Sequence, residues 1–205
     1  MSPSAHDVTE ALTCLTDSTS LILASAFDKG LDGCDLPGLY SWWADGHAQQ
    51  VITDVLGEQV DSLIYVGQTG ATKWPSGKRS DGTLGSRVAD QHIGGNARSS
   101  TFRLTISAIL FSPLGLDVEK AGRLCRDDRH RVTEWICSHL SVALCPFPER
   151  DLLGDLESKA LDSIDAPLNL RGMAATPGRD RLTQLRRLIT QPDATDQRRS
   201  EAVEG

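Results

Sequence analysis

Val8, Ala11, Leu12 and Leu15 repeat at the spacing of one helical face, and the apolar run Leu21–Phe27 reads as a continuation or restart of that helix. Asp32-Gly33 and Pro37-Gly38 are breakers, so residues 1–36 are expected to form a helical extension ahead of a core. The period then shortens. Gly38–Ala44 (GLYSWWA) and Leu63–Gly67 (LIYVG) are short, aromatic or β-branched runs bounded by turn residues, and both predict strands. Residues 45–62 between them are expected to be a loop with a helical turn around Gln50–Leu56. Residues 68–82 (QTGATKWPSGKRSDG) form a long Gly/Ser/Lys loop, of a length that is uncommon unless functional or disordered.

A short helix is predicted over Thr83–Gln91. Phe102, Ile106, Ile109 and Leu110 share one helical stripe, with Ser99, Ser100 or Thr101 available as N-cap, although the β-branched content also permits a strand. Val132, Trp135, Ile136 and Leu140 mark another helix, and Ser141–Phe147 a third strand closed by Pro146 and Pro148. Residues 151–164 are amphipathic and end at Ala166-Pro167, while Leu182, Leu185, Leu188 and Ile189 place a last helix within 173–190. Residues 191–205 read as a polar, disordered tail. Together these elements give an α/β fold in the broad α+β sense: a small three-stranded mixed or antiparallel sheet flanked by helices, over residues 37–172, with helical extensions at both ends.

Composition narrows the class. With 39% hydrophobic residues and 205 positions, the chain can bury a core without a disulfide or metal staple. No apolar run approaches the ~20 residues of a membrane span, and no basic segment opens the chain as a secretory signal does. The five cysteines include no C-x-x-C pair, which predicts inert, reduced thiols in a cytoplasm. The net charge of -7 is unevenly spread: residues 63–103 carry six bases and two acids between acidic flanks. That pattern excludes a protein that coats nucleic acid and permits one with a single basic cleft.

Chemistry concentrates in and beside the basic segment. The chain has two tyrosines, Tyr40 in Gly38-Leu39-Tyr40 and Tyr65 in Tyr65-Val66-Gly67, on neighbouring predicted strands. Arg87 and His92 follow on or next to the short helix, then Glu157, then Asn169. On a wheel of ~100° per residue, Glu157 falls inside the apolar half of its helix among Leu152, Leu153, Leu156, Ala160, Leu161 and Ile164. A carboxylate there needs a wet cleft, a cation or a basic partner, because burying it alone is costly.

These residues, in this order and on these elements, resemble the GIY-YIG endonuclease superfamily over roughly Leu36 to Arg171. The resemblance implies a metal-dependent phosphodiester hydrolase acting on DNA, with RNA not excluded. Glu157 would hold one Mg2+ or Mn2+ per active site. Tyr40 would serve as or orient the general base, Tyr65 would position water or phosphate, and Arg87 would clamp the scissile phosphate. His92 would orient the nucleophile or pass on a proton, and Asn169 would fix the site by hydrogen bonds. The length and the short gap from Glu157 to Asn169 look more like restriction-type members, hence a stand-alone enzyme of restriction or phage defence. Cutting both strands would call for a second active site, supplied by a homodimer. A catalytically silent nucleic-acid- or protein-binding module on the same fold, and a structure-specific nuclease for branched or modified DNA, are the alternatives.

One departure concerns the histidine. The family often places it one helical turn after the arginine, yet Gln91 stands four residues after Arg87 and His92 five. On a regular helix His92 would point about 100° away, so either the helix end is irregular or Gln91 takes that place. Outside the motif, Asn96, Arg98, Ser99 and Arg103 offer a phosphate anchor at a helix start or a solvated cap. Lys73 and Lys78 are loop bases near the phosphate or merely solvated. Gly77-Lys78 is not a P-loop, since Arg79 follows where Ser or Thr is needed.

Overall fold

The structure, a computed structural model, describes residues 2–119 and 123–191. Residues 192–205 of the expected disordered tail lie outside them. In chain order the elements are α1 (Ala5–Thr16), β1 (Ile22–Leu23), a 3-10 helix (Ala24–Ala26), β2 (Gly38–Ala44), α2 (Gly46–Leu56), β3 (Leu63–Thr69), a π-helix (Ser86–Ile93), α3 (Thr101–Leu110), β4 (Val118–Glu119), β5 (Arg123–Leu124), α4 (Arg126–His139), β6 (Leu140–Pro146), α5 (Leu153–Ser163) and α6 (Pro177–Thr190). The main sheet is antiparallel with strand order β1-β6-β2-β3, and β4 and β5 form a separate two-stranded ribbon.

The three expected strands are β2, β3 and β6. The fourth, β1, takes Ile22 and Leu23 from the run Leu21–Phe27, where helix was expected; Ala24–Ala26 of that run form a 3-10 turn. Asp17 explains the difference: its carboxylate accepts from the Thr19 backbone N–H at 2.8 Å and from the Thr19 hydroxyl at 2.6 Å. This Asx turn competes with the next helical turn and ends α1 at Thr16. Ile22 and Leu23 then pair with Val142 and Ser141. The second difference is α2, a full helix where only a turn was expected. Asp45 caps it by accepting from Ala48 N–H at 2.7 Å, and Gly57, in the left-handed region at φ 76°, closes it. Its buried residues Ala48, Ile52 and Leu56 share one face. The N-cap of α3 is Ser100, and the helix reading of that segment holds.

Central strand β2 sorts its side chains by alternation. Tyr40, Trp42 and Ala44 join the larger cluster, with Phe102, Ile106 and Ile109 of α3, Ile136 of α4 and Leu182 of α6. Leu39 joins the smaller one, with Ala11 and Leu15 of α1 and Leu153, Leu156 and Ala160 of α5. Trp42 is sealed and stacks on Phe102, ring centroids 4.6 Å apart, so it packs the core. The long loop 68–82 is ordered: Arg150 donates to the carbonyls of Gly70 at 2.9 Å, Ser80 at 2.6 Å and Gly82 at 3.3 Å. Among the described residues, no helix is long and apolar enough to cross a membrane, and all five cysteines are free.

Candidate active site

Tyr40 lies on β2 with its ring buried. Its hydroxyl is 2.8 Å from His92 Nε2, and His92 Nδ1 is 2.7 Å from Ser100 Oγ. Ser100 also accepts the Arg103 backbone N–H at 3.0 Å as the α3 cap. One line of hydrogen bonds therefore joins the central strand, the π-helix and α3. Trp42 and Phe102 pack their rings edge-to-face with the imidazole. Burial, then the cations of Arg87 and Arg103, hold His92 well below its ordinary pKa. It is neutral at pH 7, with one donor and one acceptor nitrogen. Burial, with Tyr65 adding, pushes the Tyr40 phenol well above its ordinary range, against the opposing charge of Arg87.

The π-helix resolves the spacing of Arg87 and His92. Each of its turns holds about one residue more than an α-turn; Gly94 N–H reaches back five residues to Ala89 O at 2.8 Å. Arg87 and His92 are then one turn apart on one side. Gln91 does not take the histidine's place: its Oε1 accepts from Arg87 Nη1 at 2.5 Å and steadies the guanidinium. Arg87 Nε is buried with no hydrogen-bond partner among the described residues, an N–H still owed an acceptor.

Around this sealed core stand half-buried groups. The Tyr65 ring centroid is 6.5 Å from that of Tyr40, and Tyr65 also packs on Phe102. Its phenol is pushed up to about 12, chiefly by burial, then by the charge of Glu157, while Arg87 and Arg186 oppose. Glu157, on α5 from the other side of the sheet, is raised to about 7, chiefly by burial, with Arg171 and Arg87 pulling it down. It remains half-buried rather than sealed. Sequence reasoning gave Arg171 and Arg186 no part in the site. The signal available was only that α6 is amphipathic and had to dock somewhere.

Asn169 follows the α5 turn. Its Oδ1 accepts from Val66 N–H and its Nδ2 donates to Val66 O, both at 2.8 Å. The side chain thus pairs with edge strand β3 as a short strand would, one residue beyond Tyr65. Arg179 of α6 fixes this loop in turn, donating through Nε to Asn169 O at 2.9 Å.

Two phenols, a neutral histidine, a guanidinium with an unmet N–H and a half-buried carboxylate thus interact within one cluster. The family profile of the GIY-YIG catalytic domain matches residues 38–188. The chain belongs to the GIY-YIG family. No curated protein and no solved structure matches it at a significant level. The family match runs past Arg171 into α6, the helix that carries Arg186 to Tyr65.

The glycines of the GIY-YIG halves have physical reasons here. Gly67 lies directly opposite Tyr40 in the β2–β3 register. A Cβ at Gly67 would come within 2.6 Å of the Tyr40 hydroxyl. A Cβ at Gly38 would meet the Cys145 carbonyl oxygen at 2.3 Å.

The residues expected to contact nucleic acid fare unequally. Arg103 is 1% exposed. Its guanidinium donates to His92 O and Thr133 Oγ1 at 3.1 and 2.8 Å, and to Ile93 O and Arg129 O. It braces the π-helix against α4 and cannot reach a phosphate, a correction to the expected anchor. Asn96 spends its Oδ1 on the N–H groups of Arg98 and Ser99 at 2.9 and 3.2 Å, shaping the turn. Arg98 and Ser99 are exposed beside it. Lys73 and Lys78 face each other across an isolated bridge at the tip of the 68–82 loop, both exposed.

Proposed function

We propose that the protein is a stand-alone DNA endonuclease that hydrolyses phosphodiester bonds with the help of one divalent cation. The observation that carries this reading is the Tyr40–His92–Ser100 line beside Arg87 and Glu157. The family supports a nuclease, and the proposal adds the cation, the DNA preference and a restriction or defence role.

The residues fit a lightly held magnesium or manganese ion. Among the described residues no cluster of three or more His, Cys, Asp or Glu groups forms a cation cage. An ion here would rest on Glu157, waters and phosphate oxygens, the mode magnesium favours. When bound it would neutralise charge on the phosphate and help the leaving oxygen. A carboxylate raised to about 7 by burial gains most from such a partner.

Burial makes Tyr40 too weak an acid to exist as a phenolate near neutral pH. Its basicity comes instead through His92. In the tautomer with the proton on Nδ1 donating to Ser100, Nε2 accepts the Tyr40 O–H. As the phenol oxygen takes a proton from the attacking water, its own proton passes to His92. The imidazole must be neutral to receive it, as its low pKa provides. Arg87 offers its unmet Nε–H to the phosphate. Tyr65 orients water or a phosphate oxygen by its hydroxyl, and Asn169 keeps Tyr65 and Val66 in place.

The test is cleavage of supercoiled plasmid with Mg2+, with Mg2+ plus EDTA, and with Glu157→Ala. Nicking that requires both the ion and Glu157 is the expected result. No cleavage by the wild type across DNA and RNA substrates would favour a silent binding module, and unimpaired cleavage by Glu157→Ala would remove the cation site. Linear, forked and modified substrates compared side by side separate sequence-specific from structure-specific cutting.

A further inference from the structure

Away from the catalytic cluster, a cavity of about 540 Å³ opens between the 96–99 turn, β5 and the start of α4, lined in part by Arg98, Arg123, Arg126 and Arg129. None of the six motif residues lines it. All four arginines are exposed, and none makes an ion pair among the described residues. Asp127 lines the adjoining hollow with Arg126 and Arg129, yet neither bonds to it.

The placement also works against stability. Arg126 and Arg129 sit in or next to the first turn of α4, where the helix dipole disfavours cations. Asp127 lies beside the opening and Glu119 stands opposite Arg123 in the β4–β5 register, yet four arginines around one cavity leave it with an excess of positive charge. An anion in the cavity would offset that excess charge, and guanidinium forks match phosphate oxygens in particular. The volume lies within the ~300–1,000 Å³ range of small-molecule sites, so it holds more than one isolated phosphate. Asn96 fixes the turn that presents Arg98, through its bonds to the Arg98 and Ser99 N–H groups.

We propose that this arginine-lined cavity is a phosphoryl-binding site, distinct from the cleft where the bond is cut. The phosphoryl groups belong either to the strand being processed, which rests on the nuclease reading, or to a free phosphorylated ligand, which does not. Arg103 links the two regions physically, since it donates both to His92 O and to Arg129 O.

Two probes separate the sources: inorganic pyrophosphate by titration calorimetry, and a labelled duplex by anisotropy in EDTA across a salt series. Wild type is compared with Arg123→Gln/Arg126→Gln and with Arg123→Lys/Arg126→Lys, after thermal melts establish that all three fold alike. The glutamine variant is expected to bind at least tenfold more weakly, with the lysine variant recovering part of the loss. Each lost phosphate contact lowers the salt slope by about 0.9, so a drop near 2 in the duplex series assigns the site to the strand. Loss confined to pyrophosphate assigns it to a free ligand. Unchanged binding of both probes overturns the proposal, even if wild type cuts DNA. If wild type cuts nothing while pyrophosphate binding depends on these arginines, the cavity reading stands and the nuclease reading falls.

Discussion

The inner and outer halves of the active site are built on opposite principles. Tyr40, His92 and Ser100 are buried, hydrogen-bonded in a line and packed by Trp42 and Phe102. Glu157, Tyr65, Arg87 and Arg186 are half-buried, and two of their defining features are unmet needs: a carboxylate raised to about 7 and an orphan guanidinium N–H. The Tyr40–His92–Ser100 line of the inner half is complete without a ligand, although the indole N–H of Trp42 beside it has no partner among the described residues. The outer half is complete only with a cation and an anionic substrate. Preorganisation thus resides where protons move, and incompleteness where charge is to be bound.

The sharpest break of this contrast is Glu157→Ala. Loss of a cation's charge stabilisation, worth several kcal/mol, corresponds to about 10³-fold or more in cleavage rate. The fold should persist, checked by circular dichroism. In the inner half, His92→Ala should lower kcat about 10²-fold and lower the melting temperature as well, because it opens a buried void. His92→Gln fills the space without restoring the base, so a kcat loss that persists in a stably folded His92→Gln separates the two effects.

Gly67→Ala probes the seam between the halves. The added methyl must displace the Tyr40 hydroxyl, at a cost of about 1–3 kcal/mol by analogy with core overpacking, and it should weaken the Tyr40–His92 bond. A variant that melts and cleaves like wild type would mean that edge strand β3 yields enough to admit the methyl without moving Tyr40. Asn169→Ala strands the N–H and carbonyl of Val66, worth about 1–3 kcal/mol when buried and unsatisfied, and is read by chemical denaturation.

The smallest effect is a pH shift. Glu157 holds its proton more tightly folded, up to about 7, than at the ordinary value of 4.5. Between those values the native state binds more protons than the unfolded one, so stability without metal falls as pH rises through this window. Glu157→Gln should remove that fall in the melting temperature, and magnesium should offset it in the wild type. In cleavage, the acid limb near pH 7 should move to lower pH as the magnesium concentration increases.

Much of this was legible in the sequence because it depended on local pattern. The strand runs around Tyr40 and Tyr65, a cap within Ser99–Thr101 and the odd position of Glu157 on its helical wheel all follow from periodicity and side-chain type. What was not legible depended on tertiary docking. Arg186 looked like one charge among many until α6 packed against the tyrosine side of the sheet. Arg103 looked like a phosphate anchor because its neighbours are polar, whereas its stem is swallowed between the π-helix and α4. Leu21–Phe27 has the apolar content of a helix, yet the Asp17 turn and an open edge on β6 made Ile22–Leu23 a strand and left only Ala24–Ala26 as a 3-10 turn.

The wide turn at Ser86–Ile93 bears on how relatives ought to be aligned. A chain can absorb one inserted residue there as a change of pitch, leaving both ends of the turn aimed where they were. Removing Asp90, which points outward to Lys29, should let the segment relax to an ordinary α-turn with the imidazole still facing the phenol. Matching sequences by counting positions after the arginine would then misplace the histidine by one, whereas matching by which ring touches the tyrosine would not.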